Sequence, residues 1–296
     1  MRKLIDQPFL RRVAPLCAAA VLLVGCETLS SLNPWSGKAD DLSGRTASGA
    51  VLPVEELYNN GVDALNQRRL ATAVTQFDTI EQNYPYSSWA VNAQLMRGYA
   101  EYLQNRYTES IGTLDRFIQL HPTHRDIAYA YYLRALSYYE QIADIQRDQK
   151  GTQLALAALQ DVVNRFPGSA YARDARLKVD LCRDHLAGKE MEVGRFYLNQ
   201  KLYAAAMGRF QRVVDDYQTT NHVPEALHRL TEIYLTLGMT EQARKTASVL
   251  GYNYPGNEWY EDSYANLVAN GEAPAVERSR AAGSGGFLSR TFGSLF

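Results

Sequence analysis

Between about residues 53 and 270, apolar and polar positions alternate with a helical period, and the apolar stretches close on the same short signal five times. Each signal pairs an apolar anchor with a breaker eight residues on: Phe77 with Pro85, Leu114 with Pro122, Leu159 with Pro167, Phe210 with Gln218, and Ala247 with Pro255. Four residues before each anchor stands a small residue, Ala73, Ser110, Ala155, Ala206 or Ala243. Twelve residues earlier still, three units carry Gly61, Gly98 and Gly194. Small residues at these places let two antiparallel helices approach closely, and proline closes the second helix because it cannot continue it.

The pattern predicts an all-α chain: a right-handed superhelix of five tetratricopeptide-like helix pairs, at about 53–85, 86–122, 123–167, 168–218 and 219–255. Each pair leaves one apolar face that its neighbour covers, so the units form one elongated body. Tyr84, Phe166, Tyr217 and Tyr254, next to the breakers, are expected to pack between repeats. Anchors are spaced 37, 45, 51 and 37 residues apart, against about 34 for the standard repeat. The third unit gains its length in a charged connection at 144–151. The fourth gains it in a first helix running from about 170 to 200, which would stiffen the middle of the array and separate an N-terminal repeat group from a C-terminal one.

The ends read differently. Arg2, Lys3, Arg11 and Arg12 precede an uncharged run at 13–25, the layout of a signal peptide. As a helix that run rises only about 20 Å, short of the roughly 30 Å hydrocarbon core. It ends in Leu23-Val24-Gly25-Cys26, which resembles a bacterial lipobox, so residues 1–25 are expected to be removed and Cys26 acylated. Glu27, in place of aspartate, resembles the pattern that sends lipoproteins to the outer membrane. Residues 26–52, rich in Ser, Gly, Thr and Asp, read as a flexible tether. Residues 271–296 read as a disordered tail whose last ten residues, with Phe287, Phe292 and Phe296, are either a frayed end or an apolar hook.

Composition narrows the chemistry. Without residues 1–25 the net charge moves from −1 to about −4, and no basic block suggests nucleic acid. Cys17 leaves with the signal and Cys26 is acylated, so Cys182 is the last thiol; its place in an apolar-periodic helix marks it as a buried structural cysteine. His121, His124, His185, His222 and His228 stand at no zinc-ligand spacing. No nucleophile elbow, P-loop or dinucleotide fingerprint occurs. The expectation is a non-catalytic protein without metal or cofactor, whose partners are proteins and, through the anchor, a membrane.

In such repeats the first helix of each pair lines the concave face with a stripe at i, i+3, i+7 and i+10. Framed on Gly61, Gly98 and Ala135, the stripe selects Glu55, Tyr58, Val62 and Leu65; Asn92, Leu95, Tyr99 and Tyr102; Tyr129, Tyr132, Leu136 and Tyr139. Six of the twelve are tyrosine. Tyrosine joins an apolar ring to a polar tip and suits an exposed binding wall; the competing reading is that these rings pack between helices.

Cys26, the five repeats, Asp115-Arg-Phe-Ile-Gln-Leu-His-Pro-Thr-His124 and Tyr129-Ala-Tyr-Tyr-Leu-Arg-Ala-Leu136 together resemble the BamD (ComL) family of outer-membrane assembly lipoproteins. The resemblance implies a subunit of the machinery that folds β-barrel proteins into the outer membrane. It implies unfolded outer-membrane β-barrel proteins as substrates, read through an aromatic C-terminal signal, with the periplasmic domain of BamA and other assembly-machinery lipoproteins as partners. Trp89 falls where the family has an aromatic linked to substrate contact, and Arg209 where it has an arginine linked to BamA docking. The connection at 144–151 is shorter than in some members, and Gln218 replaces the expected proline. The alternatives are a periplasmic repeat lipoprotein acting as an adaptor in cell-wall synthesis or division, and an envelope enzyme or enzyme activator, which would need a polar cleft.

Overall fold

The structure, a computed structural model, describes residues 50–272. Cys26 and the segments before 50 and after 272 lie outside the described residues. The body that starts at Val54 is built from helices alone among the described residues. These are α1 (Val54–Asn66), α2 (Leu70–Asn83), α3 (Ser88–Leu103), α4 (Tyr107–Leu120), α5 (Ile127–Tyr139) and α6 (Lys150–Arg165). They continue as α7 (Ala170–Asn199), α8 (Tyr203–Asp216), α9 (Val223–Thr236), α10 (Thr240–Asn253) and α11 (Glu258–Ala269). Consecutive helices pack on one another throughout, the order of a helix-pair solenoid.

The anchors explain the pairing. Phe77, Leu114, Leu159 and Phe210 are fully buried in the second helices, where each contributes roughly 1.5–3 kcal/mol of burial. Three of them press on a glycine of the first helix. A Cβ on Gly61 would meet Phe77 at 2.6 Å, on Gly98 Leu114 at 2.9 Å, and on Gly194 Phe210 at 2.5 Å.

The turns repeat as strictly as the core. Arg68, Asn105, Lys201 and Gly238 have φ near +60° to +73°, and each stands nine residues before its anchor. This left-handed residue reverses the chain between the two helices of a pair. The third unit has no such turn because α5 and α6 are joined by an ordered loop instead. The side-chain amide of Gln149 donates to the carbonyls of Asp144, Ile145 and Arg147 at 3.1–3.3 Å, and its oxygen accepts from Thr152 at 2.8 Å. The charged connection is shorter than the 144–151 read from sequence, since Lys150 and Gly151 already belong to α6.

Helices start where the breakers end. Ser87 and Ser169, two residues past Pro85 and Pro167, accept hydrogen bonds from the amides of Ala90 and Ala172. Asn257 does the same after Pro255, accepting from Trp259. It thereby opens α11, a helix that the division into five pairs did not single out. α11 packs on α9 and α10 as the first helix of a next unit would, burying Tyr260 and Leu267. A Cβ on Gly251 of α10 would stand 2.5 Å from the Tyr260 ring, so the cap fits as closely as the internal repeats do.

α7 joins two cores. Ala175, Val179 and Cys182 on its N-terminal half pack with Ala155, Leu159 and Val162 of α6. Ala187 and Met191 on its C-terminal half pack with Phe210, Val213 and Leu230. The 30-residue helix therefore carries two cores on one continuous element, inside a single compact unit rather than between separate groups. Its midpoint is braced by the α5–α6 loop, where the Ala143 carbonyl lies 2.9 Å from His185 Nε2 and Ile145 fills the space beside Gly188.

Ionic contacts echo the period across pairs. Arg97 on α3 reaches back to Asp78 on α2 and pairs with Glu101 at 3.0 Å. Arg134 on α5 reaches back to Asp115 on α4 at 2.8 Å and forward to Asp161 on α6 at 3.7 Å.

Candidate functional site

The first helices α1, α3, α5 and α7 touch one another in succession, in addition to packing on the second helices. Elements that approach most closely lie on the inside of a bend, so these four form the inner wall. Tyr58, Trp89, Tyr99, Tyr102, Tyr129, Tyr132 and Tyr139 all sit on it, each half-buried. The same stripe also holds core residues. Leu65 and Leu95 are 8% and 6% exposed and belong inside the body rather than on the wall.

The rings meet in separate groups. Tyr58 and Trp89 stand 4.9 Å apart, and Tyr58 also meets Phe77 edge-on at 5.8 Å. Farther along, Tyr99 contacts Tyr129 at 6.4 Å, Tyr129 contacts Tyr171 at 5.6 Å, and Tyr171 stacks on Tyr132 at 5.2 Å. Tyr102 packs at 5.7 Å on Tyr107, and its hydroxyl donates to Glu140 at 3.4 Å. Lys178 lies 5.0 Å over the Tyr139 ring. The wall is therefore both a packing layer and a surface, since every ring keeps part of its area open.

Electrostatics fit the same description. Burial pushes the Tyr102 phenol up to about 12, helped by the Glu140 carboxylate. Burial likewise raises Tyr129, and burial with the Asp174 hydrogen bond raises Tyr132. These phenols stay neutral and serve as hydrogen-bond tips on apolar bodies.

Sequence reasoning missed the part of the wall on α7. Tyr171, Asp174, Lys178 and Leu181 follow the same i, i+3, i+7, i+10 spacing as Tyr129, Tyr132, Leu136 and Tyr139. The Tyr132 hydroxyl donates to Asp174, which also pairs with Lys178 at 3.7 Å. The fourth unit's small residue, Gly194, stands far down the long helix, so a frame set from it points to the wrong half of α7. Restarting the stripe at the first turn after Ser169 would have found it.

Arg209 lies on α8, away from this wall, 35% exposed at its side chain. Its guanidinium donates to Glu190 at 3.0 Å, and Arg212 donates to the other oxygen of the same carboxylate at 2.9 Å. Glu190 on α7 thus holds two arginines at the surface of the C-terminal core.

The remaining reactive side chains are accounted for by packing. Cys182 is fully buried and burial pushes its thiol up to about 11. His121 and His124 flank the Phe117 ring at 5.5 and 5.2 Å. His228 Nδ1 lies 2.8 Å from Ser263 Oγ and its Nε2 3.4 Å from Glu232, an order reminiscent of a nucleophile and base. Ser263 has no exposed surface and His228 almost none, so this contact ties α9 to α11 within the body. Among the described residues no group of three His, Cys, Asp or Glu side chains is placed to hold a metal ion, and no helix is long and apolar enough to cross a membrane.

Against known proteins, residues 51–250 match the model of the YfiO family, described as an outer membrane lipoprotein. The chain is 50% identical over 238 residues to the outer membrane protein assembly factor BamD of Caulobacter vibrioides, covering 80% of this chain and 78% of that one. The chain belongs to the BamD family. A BamD of Rickettsia prowazekii is 46% identical over 77% of this chain and 90% of its own. Among solved structures, the P58(IPK) TPR domain aligns over 74% of this chain and 56% of that one, at 14% identity and a TM-score of 0.39. Membership of the BamD family agrees with the resemblance carried by the motifs at 115–124 and 129–136.

Proposed function

We propose that this protein is a non-catalytic, lipid-anchored scaffold of the β-barrel assembly machinery at the periplasmic face of the outer membrane. Its inner wall binds the C-terminal segments of unfolded outer-membrane β-barrel proteins. Its C-terminal repeats, through the surface around Arg209, dock on the periplasmic domain of BamA, beside other assembly-machinery lipoproteins. The anchor is the acylated Cys26. BamD relatives at 50% and 46% identity, named as outer membrane protein assembly factors, support the role.

The observation that carries the substrate reading is the set of half-buried rings from Trp89 to Tyr139 on the first helices α3 and α5. An extended strand offers alternate side chains along one face, and rings with polar tips supply apolar contact and hydrogen bonds together. Carboxylates at Glu140 and Asp174 already hold phenol hydroxyls along the wall.

A mild-detergent pull-down of the acylated protein from membranes tests the role. Recovery of BamA with unfolded barrel proteins is the expected result. Recovery of cell-wall or division proteins without BamA would overturn it in favour of an envelope adaptor.

A further inference from the structure

The inner wall does not end at the tyrosines. Between the C-terminal end of α5 and the middle of α7 lies an open depression of about 460 Å³, lined by Tyr139, Ile142, Ile145 and Leu181, with Glu140 and Asp184 at its edge. A volume of this size accommodates ligand-sized apolar groups. Leu181 is 56% exposed, and Leu177, one turn earlier on the same face of α7, is 66% exposed. Two leucines so open one turn apart form an apolar ridge on α7, apart from Phe196, which is exposed near the other end of the helix.

The chain carries a segment of matching chemistry that none of the contacts above uses. Residues 287–296 hold Phe287, Leu288, Phe292, Leu295 and Phe296, with Arg290 as the one charged residue. The depression complements that charge. Lys178 is committed to Asp174 and the Tyr139 ring, and His185 faces the Ala143 carbonyl. Glu140 accepts from the Tyr102 hydroxyl and Asp184 lies 3.8 Å from His222 Nε2, and the two carboxylates give the edge a net acidic character. Reach is sufficient. From Glu272 to Phe287 the chain spans up to about 50 Å when extended. From α11 through α9 and α8 to α7 are three packed steps, of about 8–10 Å each.

We infer that residues 287–296 dock in the depression between α5 and α7 of their own chain, Arg290 facing Glu140 and Asp184, and compete there with an incoming peptide. The segment acts as an internal placeholder that keeps the apolar ridge covered until a partner displaces it. The competition rests on the peptide-binding reading above; the docking does not.

A photo-crosslinker tests the docking in the full chain. With p-benzoylphenylalanine at position 177, illumination is expected to join α7 to residues 287–296, and mixing isotopically heavy and light protein should give products within single chains. Replacing Phe287, Phe292 and Phe296 by serine together should lower the yield about tenfold or more, because each ring loses its buried area. Absence of cross-links to 287–296, or products formed only between two copies, would overturn the docking. The triple variant should also bind a barrel C-terminal peptide several-fold more tightly, and unchanged affinity would overturn the competition. A chain that binds no such peptide yet still cross-links within itself would refute the proposed substrate and uphold the docking.

Discussion

Gly194 on α7 and Phe210 on α8 are in such close contact that a Cβ on the glycine would stand 2.5 Å from the ring. The same pairing joins Gly61 to Phe77 and Gly98 to Leu114, so one rule sets the spacing of three helix pairs. Gly194→Ala is expected to destabilise the fold by about 1–3 kcal/mol, because a ring with no exposed surface has little room to move. Gly208, also on α8, has nothing within 4 Å of its Cβ position. Gly208→Ala is expected to stabilise by about 0.4–1 kcal/mol through the unfolded chain. Urea unfolding of the two variants should show midpoints moving in opposite directions.

Cys182 provides a test of the middle of the array. Burial holds its thiol at about 11, so at neutral pH almost no thiolate exists and none of it reaches solvent. The folded chain should resist alkylation by iodoacetamide at pH 7 and react once unfolded in urea. Rapid labelling of the folded protein would show that α6 and α7 do not close over it.

Glu232 links the last repeat to pH. Burial alone would raise its carboxyl, but hydrogen bonds and charge from His228 and Arg229 outweigh burial and hold it at about 2. A depressed carboxyl stabilises the fold at pH values above its ordinary 4.5, and that stability is lost as pH falls toward 2. Glu232→Gln should lower the melting temperature at pH 7, with the gap to the unaltered chain closing between pH 4.5 and 2. A gap that is constant over this range would mean the ion pair does not form.

Arg209 requires a careful choice of substitution. Arg209→Glu would place a second carboxylate beside Glu190, which already binds Arg212, and would disturb α7 as well as any partner. Arg209→Met keeps the stem and removes the charge. Under the proposed docking, Arg209→Met weakens binding to the BamA periplasmic domain while leaving peptide binding and helix content unchanged. Loss of both binding activities together would mean that the two surfaces are not separate.

Much of the fold was legible because its determinants are local and repeated. The anchors and the small residues before them recur at fixed spacing in all five units, with proline after four of the anchors, and each acts within one helix pair. What escaped were features whose reference lies elsewhere. The tyrosine stripe continues on α7 through Tyr171, but the glycine that would register it packs against the other core, more than five turns away. The α5–α6 connection looked like a charged surface loop, yet Gln149 binds its carbonyls and Ile145 seals it on Gly188, contacts that no periodic pattern announces. α11 was hidden because it lacks a second helix and so never completes the signal. The candidate wall could be read as a list of rings, but not as a set of contacts, because the partners of Tyr129 and Tyr132 come from the next unit.

The central claim is that the aromatic wall is the working surface, and the most direct test is a titration of the full chain with a fluorescent barrel C-terminal peptide ending in phenylalanine. Tyr99→Ala combined with Tyr132→Ala is expected to weaken binding about tenfold or more, as removal of central aromatic contacts does, at a temperature where far-ultraviolet dichroism shows unchanged helix content. Affinity equal to that of the unaltered protein would contradict the claim and leave these rings as packing between helices alone.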